Sequence, residues 1–126
     1  MTHDKKNLIM SDGTNVLTYL DPATCKPIKK LPVYDDKNAM VFLNELEYSD
    51  GVIYANIWGT FLIVKIDPNT GKVLSKIDLD GVLTLSNFTD HVDVLNGIAI
   101  DPNTRKMYVT GKLSPKLFEI KPVKKE

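Results

Sequence analysis

Apolar and polar residues alternate with period two along most of the chain, in short runs closed by turn residues. Asn7–Ser11 and Val16–Leu20 are two such runs, separated by the hairpin signal Asp12-Gly13-Thr14-Asn15. Ile28–Val33 and Phe42–Tyr48 follow, then Val52–Asn56 after the turn pair Asp50-Gly51. Phe61–Ile66 and Val73–Leu79 flank Asp67-Pro68-Asn69-Thr70-Gly71-Lys72, whose Pro and Gly suit a tight turn. The last runs are Asn96–Ile100, Lys106–Thr110 and Lys116–Ile120, with a second Asp-Pro-Asn-Thr at Asp101–Thr104. No helix-period stretch exceeds about two turns, and only Met40–Glu47 is ambiguous between helix and strand.

These runs repeat as a unit. Leu8-Ile9-Met10, Leu17–Leu20, Asp21-Pro22 and Ile28–Val33 form one copy. Ile53-Tyr54-Ala55, Leu62–Ile66, Asp67-Pro68 and Val73–Leu79 form the next, and Met107-Tyr108-Val109 with Leu117–Ile120 begin a third. Asp21 and Asp67 stand 46 positions apart, and Ile66 and Ile120 stand 54 apart. A period of that size, with several short strands per copy, predicts the blades of a β-propeller. A β-sandwich also has many short strands but does not repeat itself in this way. The expected fold is therefore all-β: a partial propeller of about two and a half four-stranded blades, one domain over residues 1–126. The blade units fall at about 7–33, 42–79 and 95–120. The first unit opens at its second strand and the last stops after its third, so the ring is open.

Composition narrows the function classes. Sixteen basic residues balance sixteen acidic ones, so no net field attracts nucleic acid or an anionic membrane. No apolar run is long enough for a transmembrane helix, and the first residues carry no apolar signal-peptide core. Cys25, the one cysteine, has no neighbouring histidine to activate it and reads as a bystander thiol. His3 and His91 lie far apart, so no zinc-type spacing is visible. The Lys121–Lys125 run, broken by Pro122 and Val123, reads as a solvated tail.

Leu43-Asn44-Glu45-Leu46-Glu47-Tyr48-Ser49-Asp50-Gly51, continuing through Ile53-Tyr54-Ala55-Asn56-Ile57-Trp58, resembles the signature of the five-bladed glutamine cyclotransferases, the plant- and bacterial-type glutaminyl-peptide cyclotransferases. The resemblance continues in Ile66–Val73, in Asp93–Ala99 and in Val109–Glu119, and reaches back to Leu8–Gly13. It corresponds to the carboxy-terminal part of such proteins. The resemblance implies cyclisation of an amino-terminal glutamine of a peptide to pyroglutamate, with release of ammonia, without metal or other cofactor. The free amine attacks the side-chain carboxamide carbon, so the peptide end must be held folded back, the oxyanion needs a donor and the leaving nitrogen needs a proton.

Three positions match the family's pocket. Asn44 is expected to hydrogen-bond the substrate's amide or amine; otherwise it is a turn or edge-strand asparagine. Trp58 is expected to wall the pocket; otherwise it is inter-blade core. Lys112 is expected to point to the axis and balance the catalytic carboxylate; otherwise it is a solvated surface lysine. Asn96, followed by Gly97, approaches the same axis. Glu45 and Glu47 read as structural or inter-blade residues, with Leu46 on the face of Asn44. The family's catalytic glutamate, further aromatic walls and a substrate-contacting glutamine belong to an earlier half that these 126 residues do not include. Family members carry Trp-Gly-Leu-Thr where this sequence has Met1–Asp4, and an aromatic where it has Ser114. The expectation is a truncated family member that does not turn over alone. Full-length relatives are usually exported, and this sequence shows no signal for it. The other readings are a non-enzymatic binding or assembly module that self-associates through open sheet edges, and a calcium-dependent propeller hydrolase, which needs converging carboxylates.

Overall fold

The structure, a computed structural model, describes residues 1–80, 95–114 and 116–124. His91, the Asp93-Val94 part of the family motif, Pro115 and Lys125 lie outside the described residues. All described regular structure is β. The first sheet holds β1 (Thr2–His3), β2 (Leu8–Met10), β3 (Val16–Leu20) and β4 (Pro27–Pro32) in chain order. A small hairpin, β5 (Tyr34–Asp35) and β6 (Asn38–Ala39), leads to the second sheet. That sheet holds β7 (Leu43–Ser49), β8 (Val52–Ile57), β9 (Leu62–Ile66) and β10 (Val73–Asp78), again antiparallel and in order. The third holds β11 (Leu95–Ile100), β12 (Met107–Gly111) and β13 (Phe118–Ile120). Four, four and three strands make the partial β-propeller that the repeat predicts. The first sheet departs from the expectation: it opens with β1, a two-residue polar strand too short to show any alternation. Met40–Glu47 contains no helix; its second half belongs to β7.

Two apolar layers hold the blades face to face. Ile9, Leu17, Leu31 and Val33 of the first blade pack on Leu43, Leu46, Ile53, Ala55 and Ile66 of the second. Ile63 and Leu79 of the second pack on Leu95, Ile98 and Val109 of the third. The strand period explains the division: Ile53, Ala55 and Ile57 share one face of β8, and Tyr54 and Asn56 share the other.

Polar clips add register at the inner strands. The Thr2 hydroxyl accepts a bond from the Tyr48 N–H at 3.0 Å, and the Glu47 carboxylate accepts one from the Ile100 N–H at 3.3 Å. Thr2 pairs with Ile9 and Glu47 with Tyr54, so the two acceptors hold corresponding places in consecutive blades.

One turn is used three times. In Asp21–Lys26, Asp67–Lys72 and Asp101–Lys106 the Asp N–H donates to the Lys carbonyl, each at 2.9 Å. The fifth residue's N–H donates back to the Asp carbonyl. The Asp side chain accepts from backbone N–H groups inside the turn in all three. The first two copies join the third and fourth strands of a blade, whereas the third joins β11 to β12. Local chemistry selects this turn, and its place in the blade does not.

Candidate functional site

The inner strand of the second blade begins with a bulge. Leu43 pairs with Ile57 and Leu46 with Ala55, so β7 carries one residue more than β8 between these pairs. Asn44 and Glu45 occupy the extra length. The bulge lets Leu43 and Leu46 both enter the first apolar layer. Strict alternation, which puts Leu46 on the face of Asn44, therefore fails here. The same bulge recurs at the start of β11, where Leu95 pairs with Gly111 and Gly97 with Thr110, leaving Asn96 as the extra residue. Leu43-Asn44-Glu45-Leu46 and Leu95-Asn96-Gly97-Ile98 are thus two copies of one device.

The first blade braces the Asn44 bulge. The Ser11 hydroxyl donates to the Asn44 carbonyl, and the N–H groups of Phe42 and Leu43 donate to the carbonyls of Gly13 and Thr14 at 3.0 and 3.4 Å. Phe42 sits in the left-handed region with φ 64°, and its carbonyl accepts from the Trp58 N–H at 2.9 Å. Asn44 is half-buried.

Trp58 and Lys112 hold the same place in consecutive blades. Trp58 is second in the turn Ile57–Thr60, closed by the Thr60 N–H on the Ile57 carbonyl at 3.1 Å. Lys112 is second in Gly111–Ser114, closed by the Ser114 N–H on the Gly111 carbonyl at 3.0 Å. The third residues, Gly59 and Leu113, have φ 83° and 61°. Since β7 and β8, and β11 and β12, are antiparallel, these turns stand at the same end of the sheets as the Asn44 and Asn96 bulges. The topology thus brings Asn44, Trp58, Asn96 and Lys112 to one rim. The Trp58 and Lys112 side chains are exposed, so Trp58 is not inter-blade core in this chain.

A cavity of about 690 Å³ opens at the other end, lined by His3, Glu47, Asp50 and Arg105 among others; none of Asn44, Trp58 and Lys112 borders it. Glu47 belongs to that end. Burial pushes its carboxyl above the ordinary value, Glu45 adds to the rise, and the Ile100 N–H opposes it. Its role is the inter-blade clip. The described residues hold no group of three or more His, Cys, Asp or Glu placed to bind a metal.

Sequence reasoning passed over Asn56. It is fully buried, and neither carboxamide atom has a hydrogen-bond partner among the described residues. Each unpaired buried donor or acceptor costs about 1–3 kcal/mol, so the position is not neutral packing. A signal existed in the sequence: Asn56 is the polar break in the apolar run Val52–Ile57.

Comparison with known proteins covers nearly the whole chain. The family model for glutamine cyclotransferase matches residues 1–122. A glutaminyl-peptide cyclotransferase of Arabidopsis thaliana is 41% identical over 120 residues, covering 94% of this chain and 38% of the plant protein. The crystal structure of Myxococcus xanthus glutaminyl cyclase superposes with a TM-score of 0.85 at 38% identity, over 92% of this chain and 51% of that one. The chain therefore spans about two-fifths to one half of the length of these relatives.

Proposed function

Because the chain belongs to the glutamine cyclotransferase family, we propose that its rim supplies one side of a site that cyclises the amino-terminal glutamine of peptides. In the reaction the α-amine nitrogen bonds to the side-chain carboxamide carbon, closing a five-membered ring. The bond from that carbon to the amide nitrogen breaks, and the proton lost by the attacking amine leaves with ammonia. Asn44 bonds the substrate's amide or amine, and its braced bulge keeps the carboxamide in place without reorganisation. Trp58 walls the glutamine side chain. Lys112 faces the carboxylate that shuttles the proton and holds its charge in balance. By the resemblance, that carboxylate comes from blades outside these 126 residues.

The observation that carries this reading is the equivalence of Trp58 and Lys112. Two different side chains stand at the second position of the same turn, on neighbouring blades, at the rim that carries Asn44. Both side chains are exposed, so both are free to meet a ligand at that rim.

Ammonia release from a Gln-peptide tests it, with the 126-residue chain alone and with the earlier blades of a full-length relative co-expressed. Turnover is expected only in the complemented sample. Robust turnover by the chain alone, or none after a complex forms, contradicts the reading. Self-association is the second reading: among the described residues β13 pairs on one side only, with β12, and Leu117 is exposed beside it. A monomer at high concentration in sedimentation would rule it out.

A further inference from the structure

Asn56 lies on β8 between Ala55, which pairs with Leu46, and Ile57, which pairs with Leu43. It therefore stands opposite the two residues of β7 that have no pairing partner on β8, Asn44 and Glu45. A bulge interrupts the ladder and frees backbone groups of the longer strand. The Asn44 carbonyl is taken by the Ser11 hydroxyl. Across from the bulge is a carboxamide with two donors and one acceptor, fully buried and without a partner among the described residues.

The third blade fills the corresponding place differently. Thr110 stands where Asn56 does, opposite the Asn96 bulge, and its hydroxyl donates to the Lys116 carbonyl at 2.8 Å. The space beside it is closed by contact: a Cβ on Gly97 would meet the Thr110 methyl at 2.8 Å. The second blade has neither solution, since Glu45 carries a side chain and Asn56 finds no acceptor. Two repeats share one bulge, and only one of them leaves polar atoms open.

We propose that Asn56 is a positioning residue that holds one buried water, and that this water bonds the backbone freed at the Asn44–Glu45 bulge. A buried water of this kind makes two to four bonds to polar groups that otherwise lack them. Asn56 supplies one or two, and the bulge supplies the others. The water closes the gap in the ladder and fixes the direction in which Asn44 leaves the strand. Asn56 thus acts on the rim through Asn44 and touches no substrate. The inference concerns the fold of this chain and stands whether or not the rim is catalytic.

The test is nuclear magnetic resonance on the folded chain, read as cross-relaxation between the Asn56 side-chain NH2 protons and a long-lived water. The expected result is a persistent water cross-peak in the wild type. Asn56→Leu, nearly the same shape, should remove the matching water cross-peak at the Asn44 or Glu45 backbone amide, lower the melting temperature by about 5 °C or more, and shift those amides. Asn56→Thr copies the third blade and serves if the leucine variant does not fold; it should keep the protein folded and lose the water cross-peak at the Asn44 or Glu45 backbone amide. The proposal is overturned if the wild type shows no water cross-peak, or if a crystal structure places a protein group on the Asn56 carboxamide. It is equally overturned if Asn56→Leu melts higher with the Asn44 and Glu45 amides unmoved, the outcome for an amide that is simply unsatisfied.

Discussion

The Glu47 carboxylate accepts a hydrogen bond from the Ile100 backbone N–H at 3.3 Å, joining the inner strands of the second and third blades across 53 positions of sequence. Thr2 and Tyr48 make the corresponding bond one blade earlier. Each inner strand thus reads the register of its neighbour through a single side chain. Ala99 stands at the corresponding place in the third blade, pairing with Tyr108 as Glu47 pairs with Tyr54, and has no side-chain acceptor to extend the series.

Glu47 gives the stability a pH dependence of known sign. Its carboxyl is raised in the folded chain, chiefly by burial, so folding favours the protonated form. That contribution is fully present below the unfolded value and is lost as pH rises through the folded value. Glu47→Gln keeps an acceptor for the Ile100 N–H and removes the titration. Urea melts from pH 4 to 7 should show a flatter profile for this group, with the gain over wild type appearing toward pH 7. Glu47→Ala leaves the N–H unmet and should cost about 1 kcal/mol throughout.

The three Asp-Pro turns differ at their fifth residue. Gly71 has φ 79°, and a Cβ there would stand 1.9 Å from the Pro32 carbonyl oxygen of the neighbouring blade. Gly71→Ala should cost more than about 2 kcal/mol, because the backbone must move. Cys25 has φ 58° and is exposed, so Cys25→Gly should gain up to about 1 kcal/mol by relieving left-handed strain. Thermal melts of the two variants should move in opposite directions.

Tyr19 sets an alkaline limit. Burial pushes its phenol up to about 12, while its hydroxyl reaches the Pro68 carbonyl only at 3.5 Å. Folding favours the neutral phenol, so this contribution holds below the unfolded value and fades as pH approaches 12. Tyr19→Phe should cost less than about 1 kcal/mol at pH 7 and extend stability into more alkaline solution, as followed by circular dichroism.

The blade repeat was legible because period-two runs and Asp-Pro turns are local signals. The elements that were missed have too few residues to show a period: β1, β5 and β6 are two residues each. The bulges were misread for a related reason. Leu43 and Leu46, three apart, both reach the core only if one residue of the strand has no pairing partner. Alternation alone puts Leu46 beside Asn44. The third Asp-Pro turn sits in a different loop of its blade, and the sequence already places it there, between the runs Asn96–Ile100 and Lys106–Thr110. Of the rim residues, Asn44, Trp58 and Lys112 came from motifs. Their convergence on one end of the sheets needed the register.

The most direct test of the rim as a substrate site is ammonia release from a Gln-peptide, by the chain complemented with the earlier blades, comparing wild type with Asn44→Ala, Trp58→Ala and Lys112→Met. Thr2→Ala, which removes a clip at the opposite end, is the control. Expected is a fall in kcat/KM on the order of 10- to 100-fold or more for each rim variant, with the control near wild type. Rim variants that form the same complex and turn over at the control's rate would contradict the assignment.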